Sequence, residues 1–211
     1  DDVDPVAAAK VSAVRKARNA GQVCTSPTRF FVQEAIYERF LDAFVAQART
    51  VRVGDGMDPA TEMGPLDNHR RIDARAKGAR IHTGGERLGN RGYFFPLTVV
   101  SDLPDDARAM HEEPFGPLAL INPVSSVEEA IGKANALPFG LAAYAFTHSA
   151  RNADMLADGI EAGTLSINTL EASVAETPFG GVKDSGYGRE GGAEGLAHYM
   201  VVKNVSHRMT I

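Results

Sequence analysis

The feature that most constrains the fold is an alternation of short apolar runs and helical patterns in the second half of the chain. Residues 118–122 read as a strand, 126–136 as a helix, 142–147 as a strand, 150–159 as a helix and 164–168 as a strand. Successive strands separated by helices of that length cannot be joined as hairpins. They demand βαβ crossovers, and the sheet they build is parallel with helices on both faces. The expected class is therefore α/β.

The first half fits the same architecture. Asp4-Pro5 has the character of a helix start, and an Ala-rich segment runs from there to Gly21, a natural stop. Residues 28–33 form a β-type run. A helix over about 34–51 follows, in which Ile36, Phe40, Phe44 and Ala48 recur every four residues and mark a core face. Residues 54–59 read as a loop, 67–77 as a polar helix, 80–83 as a strand broken by Gly84-Gly85, and 94–100 as another strand. Beyond Gly180 glycines crowd the chain, before an expected helix at 193–200 and an expected strand at 201–205. That last strand would be an open edge unless it packed on another domain or subunit. The division expected is a main domain over 1–180 and a C-terminal segment over 181–211. The lack of an initiating Met and the immediate entry into helix suggest a segment of a longer chain.

Composition narrows the function. With 44% hydrophobic residues in 211, the chain can bury one good core. A net charge of −5 with interspersed signs presents no basic face, so neither nucleic acid nor an anionic membrane surface is an expected partner. The apolar runs fall short of the roughly 20 residues of a membrane span, and no signal pattern opens the chain; cytoplasmic is the default location. One cysteine rules out an internal disulfide, and with six scattered histidines it makes no zinc spacing, so no metal is expected.

That cysteine is the first candidate for chemistry. Cys24 stands in Gly21-Gln22-Val23-Cys24-Thr25-Ser26-Pro27, between a helix that ends at glycine and a strand. A nucleophile needs an exposed sulfur on a rigid turn with backbone N–H groups free for an oxyanion, and this loop allows both. Taken alone, however, a lone cysteine is more often inert packing. Glu112-Glu113-Pro114-Phe115-Gly116-Pro117 sets two acids and an aromatic at a strand entrance, where carboxylates can work as acid/base groups or hold ligand hydroxyls and the ring can pack on a flat heterocycle. Exposed loop glutamate is the simpler reading there. The glycines after Phe179 match no G-x-G-x-x-G opening a helix, and tight backbone turns explain them better than phosphate binding.

The order of these motifs carries more than any of them singly. Arg18-Asn19-Ala20-Gly21-Gln22-x-Cys24, then Glu112-Glu113-Pro-Phe115-Gly-Pro, then Asn135-x-x-x-Phe139-Gly140-Leu141, then Ile167-Asn168, then Pro178-Phe179-Gly180-Gly181-x-Lys183-x-Ser185-Gly186-x-Gly188-Arg189-Glu190 together resemble the C-terminal, catalytic half of the aldehyde dehydrogenase superfamily over nearly the whole chain. The resemblance makes Cys24 the nucleophile, assigns Glu113 to the nicotinamide ribose hydroxyls and Phe115 to the nicotinamide, and sets Phe179 in the substrate tunnel. It implies NAD or NADP as cofactor, a small aldehyde as substrate, and a homodimer or homotetramer. It also implies a thiohemiacetal, hydride transfer and hydrolysis of a thioester. In the family the general-base glutamate, the oxyanion-binding asparagine and the Rossmann-type cofactor domain precede the cysteine, outside these 211 residues, so the isolated chain is expected to bind NAD(P) feebly and not to turn over.

Arg18 and Ser173 look like the positions that hold the distal carboxylate in succinate-semialdehyde dehydrogenases, and a guanidinium suits a carboxylate. The simpler alternative is that Arg18 caps its own helix or makes a surface pair. α-Ketoglutarate semialdehyde carries the same charged tail. One departure is Ser26, where some relatives have a second cysteine; a redox disulfide in this loop is excluded. An acylating enzyme using coenzyme A, and a non-catalytic α/β domain that associates through its tail, stand as rival readings, and the choice of NAD or NADP belongs to the domain that reads the ribose 2′ position.

Overall fold

A computed structural model describes residues 2–68 and 79–210. The first helix, α1 (Pro5–Ala17), starts as its sequence dictates: the Asp4 carboxylate accepts from the Val6 N–H at 3.0 Å and Pro5 occupies the first turn, where no N–H is required. One face of α1 is small, with Ala9 and Ala13 fully buried. Small side chains let α2 (Tyr37–Thr50) approach closely, and α2 answers with Phe40, Leu41, Phe44, Val45 and Ala48 at helical spacing. Phe30, Phe40 and Phe44 cluster with ring centroids 5.2 to 6.5 Å apart, locking α2 to the strand that follows the cysteine.

That strand, β1 (Arg29–Gln33), pairs parallel with β4 (Leu118–Val124), and β4 pairs parallel with β3 (Thr98–Ser101). β2 (Arg80–Thr83) closes the far edge antiparallel to β3, giving the order β1-β4-β3-β2. β4 is central and buried on both faces, which is why its run Leu-Ala-Leu-Ile is continuously apolar rather than alternating. The larger core, around α1, α2, Val99 and Ile121, covers one face. A smaller one, around Val100, Leu103, Met110, Leu118 and Leu120, covers the other.

The expected crossovers are present. From β4 the chain passes through α4 (Val127–Asn135) to β6 (Ala142–Ala145), then through α5 (Ala150–Gly159) to β7 (Thr164–Ile167), and β6 and β7 pair parallel. Both helices begin at a serine cap, Ser126 accepting from the Glu129 N–H and Ser149 from the Asn152 N–H. The β6–β7 pair does not join the larger sheet through backbone hydrogen bonds, so the free edges of β1 and β6 face each other across a cavity. Side chains bridge the gap instead. Arg29 donates to the Lys133 and Ala134 carbonyls at the end of α4, and the Tyr144 hydroxyl donates to the Thr25 carbonyl at 2.8 Å.

Four expectations need correction. The sheet is mixed at its edge, because β2 runs antiparallel. β3 starts at Thr98 rather than near 94, since Pro96 has no N–H to give a ladder. The expected helix at 193–200 is a short 3-10 helix, Glu194–Tyr199. No strand forms over 201–205: Val201, Val202 and Val205 are exposed and unpaired among the described residues, because a strand needs a neighbouring edge. The polar helix expected at 67–77 lies for the most part outside the described residues. Two short strands went unread, β5 (Phe139–Gly140) and β8 (Val182–Lys183), which pair antiparallel and tie the glycine-rich tail to the end of α4, as did the four-residue helix α3 (Arg108–His111). No helix among the described residues is long and apolar enough to cross a membrane.

Candidate active site

Cys24 is exposed, on a turn whose geometry is determined from several sides. After Ala17 the chain makes one tight turn over Arg18–Gly21 in which Asn19, Ala20 and Gly21 all have positive φ, at 50°, 53° and 69°. Asparagine and glycine tolerate that region, whereas for Ala20 it costs about 1–2 kcal/mol. Strain at a non-glycine residue persists only where the surroundings over-determine it, and it clusters at functional sites. Gly21 has no alternative: a Cβ there would stand 2.2 Å from the Gly116 carbonyl oxygen. The Ser26 N–H then closes on the Val23 carbonyl at 2.9 Å, leaving Cys24 and Thr25 as the two central residues of a turn.

Side chains hold this turn. Asn19 Nδ2 donates to the Gln22 carbonyl, while the Gln22 amide donates to the Asn19 carbonyl and accepts from the Asp67 N–H at 2.8 Å. From the last turn of α1, Arg15 donates to Thr25 Oγ1, and Lys16 Nζ donates to Ser26 Oγ at 3.2 Å and Thr28 Oγ1 at 3.1 Å. Lys16 is 0% exposed. Burial pulls its amine down to about 7, against the opposing pull of the Glu113 carboxylate, which favours the charged form.

The segment after α3 supplies the second wall. The two adjacent acids differ in their surroundings: Glu112 pairs with Arg108 Nε at 2.7 Å, and the hydrogen bond holds its carboxyl below the usual range. Both glutamates and Pro114 line the same cavity as Cys24. Phe115 is half-buried with φ of 41°, another non-glycine residue in the left-handed region, and the following Gly116 abuts Gly21. The Cys24 turn and the 112–117 segment are thus in backbone contact. The cavity measures about 680 Å³ and continues from Cys24 and Glu113 past Phe30, Phe31 and Tyr144 between β1 and β6. It takes in the gap in the sheet as well as the surroundings of the thiol, so its volume does not select a substrate.

Among the described residues, Arg18, Phe115, Ser173 and Phe179 do not line this cavity. Arg18 is exposed and is the C-cap residue of α1, its backbone N–H donating to the Arg15 carbonyl, while its side chain makes no hydrogen bond or ion pair among the described residues. Ser173 is exposed on the stretch after Asn168, whose side-chain amide bonds both ways with the Thr147 backbone at 2.9 and 2.8 Å. Phe179 is half-buried and exchanges two backbone hydrogen bonds with Glu190. The glycines around it are packing glycines: a Cβ on Gly180 would meet the Gly188 carbonyl oxygen at 2.4 Å. Sequence reasoning missed Lys16 and Tyr144. Lys16 had a visible signal, since Ala8, Ser12 and Lys16 recur every four residues on the buried face of α1 and a lysine does not belong in such a stripe. Nothing local marked Tyr144.

These observations define an α/β chain with an exposed thiol on a strained turn beside an acidic loop, and the chain belongs to the aldehyde dehydrogenase family, whose model matches residues 1–205. It is 43% identical over 208 residues to the 4-(hydroxymethyl)benzenesulfonate dehydrogenase of Comamonas testosteroni, covering 96% of this chain and 44% of that protein. It is 40% identical over 207 residues to the NADP(+) succinate-semialdehyde dehydrogenase 1 of Mycobacterium tuberculosis, covering 94% and 45%. Among solved structures, betaine aldehyde dehydrogenase from Staphylococcus aureus in complex with NAD+ is similar with a TM-score of 0.88 at 34% identity, over 95% of this chain and 42% of that one. The chain spans less than half the length of the curated relatives it matches.

Proposed function

We propose that this chain contributes the nucleophile to an NAD(P)-dependent aldehyde dehydrogenase, with Cys24 as the attacking group. The observation that carries this is an exposed thiol on a turn held by Gln22, Arg15, Lys16 and Tyr144, opening on the same cavity as Glu113. In the reaction the thiolate forms a bond to the aldehyde carbon and the carbonyl electron pair moves to oxygen. The backbone N–H of Cys24 is the group on this chain that serves the oxyanion. The nicotinamide, when bound, supplies the two-electron acceptor for the hydride leaving that carbon, and water then cleaves the thioester to release the carboxylic acid. Glu113 and Phe115 fit that cofactor chemically: a carboxylate accepts from ribose hydroxyls, and a half-buried ring beside Pro114 offers an apolar face to a flat heterocycle. Residues 1–180 form the catalytic domain in this reading. Residues 181–211, with exposed Tyr199, Met200, Val201 and Val202, pack on a cofactor domain or on another copy in a homodimer or homotetramer.

The substrate class proposed is an aldehyde with a second, anionic end, such as succinate semialdehyde or α-ketoglutarate semialdehyde. Arg18 supports it as an exposed guanidinium without an ion pair among the described residues, with Ser173 as a hydroxyl donor and Phe179 lining the approach. Two relatives are themselves named for substrates with an acid group, a benzenesulfonate and a succinate semialdehyde. The test uses the enzyme that carries this chain, with each semialdehyde and a neutral aldehyde of equal length, NAD and NADP in turn, with and without coenzyme A. Cys24→Ala should abolish oxidation. Arg18→Ala should raise KM for the carboxylated substrates alone, by about ten-fold or more for the loss of a charge-assisted pair. An unchanged KM would refute the carboxylate clamp, and an acyl-coenzyme A product would replace the hydrolytic reading.

A further inference from the structure

Lys16 has no place in the chemistry above, yet it is the most costly side chain in the core. An amine with no exposed surface, and with no carboxylate within ion-pair distance among the described residues, has given up its hydration for two hydroxyl groups. A methionine would fill the same volume at lower cost. Both hydroxyls belong to the segment just after the nucleophile: Ser26 lies two residues past Cys24, and Thr28 is the last residue before β1.

We propose that Lys16 is a positioning residue for the nucleophile. Through Ser26 and Thr28 its amine pins the turn that presents Cys24, and its positive charge, lodged behind that turn, favours the thiolate. This rests on the reading of Cys24 as the nucleophile. The charged group that acts on the amine is Glu113 on the 112–117 segment, and Arg15 on the same helix donates to Thr25 in the turn that Lys16 holds. Three hydrogen bonds from the end of α1 therefore converge on residues 25–28, and two of them come from Lys16. The Glu113 carboxylate favours the charged form of Lys16, and by the same attraction a charged Lys16 favours an anion on the turn that it holds.

The experiment measures alkylation of Cys24 by iodoacetamide against pH, from roughly 6 to 10, in the enzyme that carries this chain, together with thermal melting and steady-state kinetics. Lys16→Met should raise the midpoint of the alkylation profile and slow alkylation most near and below pH 7, where the amine is charged, by up to about ten-fold, while the alkaline plateau stays the same. Its kcat should fall with little change in the aldehyde KM, and its melting temperature should hold or rise. Ser26→Ala should move the midpoint the same way by less. A merely structural lysine would lower the melting temperature and leave the profile in place. If Lys16→Met folds cooperatively and its midpoint is unshifted, the proposal is wrong; if that variant does not fold, an unshifted midpoint in Ser26→Ala overturns it. Cys24→Ala in parallel separates the two readings. An active Cys24→Ala defeats the nucleophile assignment itself, whereas an inactive one beside an unshifted Lys16→Met defeats only the role of Lys16.

Discussion

Replacing Gly21 by alanine tests the contact on which the proposed site depends, the meeting of the Cys24 turn with the 112–117 segment. Two costs add. At φ of +69° an alanine sits in the left-handed region, at about 1–2 kcal/mol. Its Cβ would also lie 2.2 Å from the Gly116 oxygen, 2.6 Å from the Gly116 carbon and 3.1 Å from the Pro117 nitrogen. All three are backbone atoms, with no flexible side chain to swing aside, so two segments must separate by roughly 1 Å, at a cost of about 1–3 kcal/mol. Against this, alanine restricts the unfolded chain and returns about 0.4–1 kcal/mol. The net is about 3 kcal/mol, or a fall in melting temperature of roughly 6–12 °C for a chain of this size. Separating the segments also moves Glu113 and Phe115 away from Cys24, so KM for the nicotinamide dinucleotide should rise more than KM for the aldehyde. Gly56→Ala is the control: nothing lies within 4 Å of its Cβ, and its effect should stay within about 0.5 kcal/mol. Differential scanning calorimetry and steady-state kinetics on both variants decide the matter. A Gly21→Ala enzyme that melts within about 2 °C of wild type, with an unchanged dinucleotide KM, would refute the reasoning.

Three further outcomes follow from the same geometry. Lys16 is held near 7 when folded and at its ordinary 10.5 when unfolded, so between those values the unfolded chain binds more protons and stability should rise with pH, by up to about 1.4 kcal/mol per unit. Denaturant titrations at several pH values should show that slope in wild type and lose it in Lys16→Met. Phe44→Ala removes a fully buried ring from the Phe30–Phe40–Phe44 cluster and should cost about 3–5 kcal/mol in the same titrations. Ser126→Ala frees the Glu129 N–H at the start of α4 and should cost about 1 kcal/mol, with Ser126→Gly milder.

The sequence alone determined the elements whose signals are local. The Asp4-Pro5 start, the four-residue apolar spacing of α2 and the continuous apolar run of β4 each act through neighbours a few residues away, so the pattern and the structure coincide. α5 was legible residue for residue. The order of short motifs likewise carried the family before any coordinate did, although the chemistry of Cys24 alone pointed to packing.

What only the tertiary structure decided are relations between distant segments. The antiparallel edge strand β2, the pairing of two-residue β5 with β8 and the failure of 201–205 to form a strand depend on which edge is offered, and no local pattern encodes an edge. The same holds at the site. That Gly21 must be glycine follows from Gly116, almost a hundred residues on, and the Cys24 turn owes its shape to Lys16, Asp67 and Tyr144 from three different elements or loops. A close backbone approach and a buried amine are long-range facts, since each is defined by atoms that only folding brings within a few ångströms.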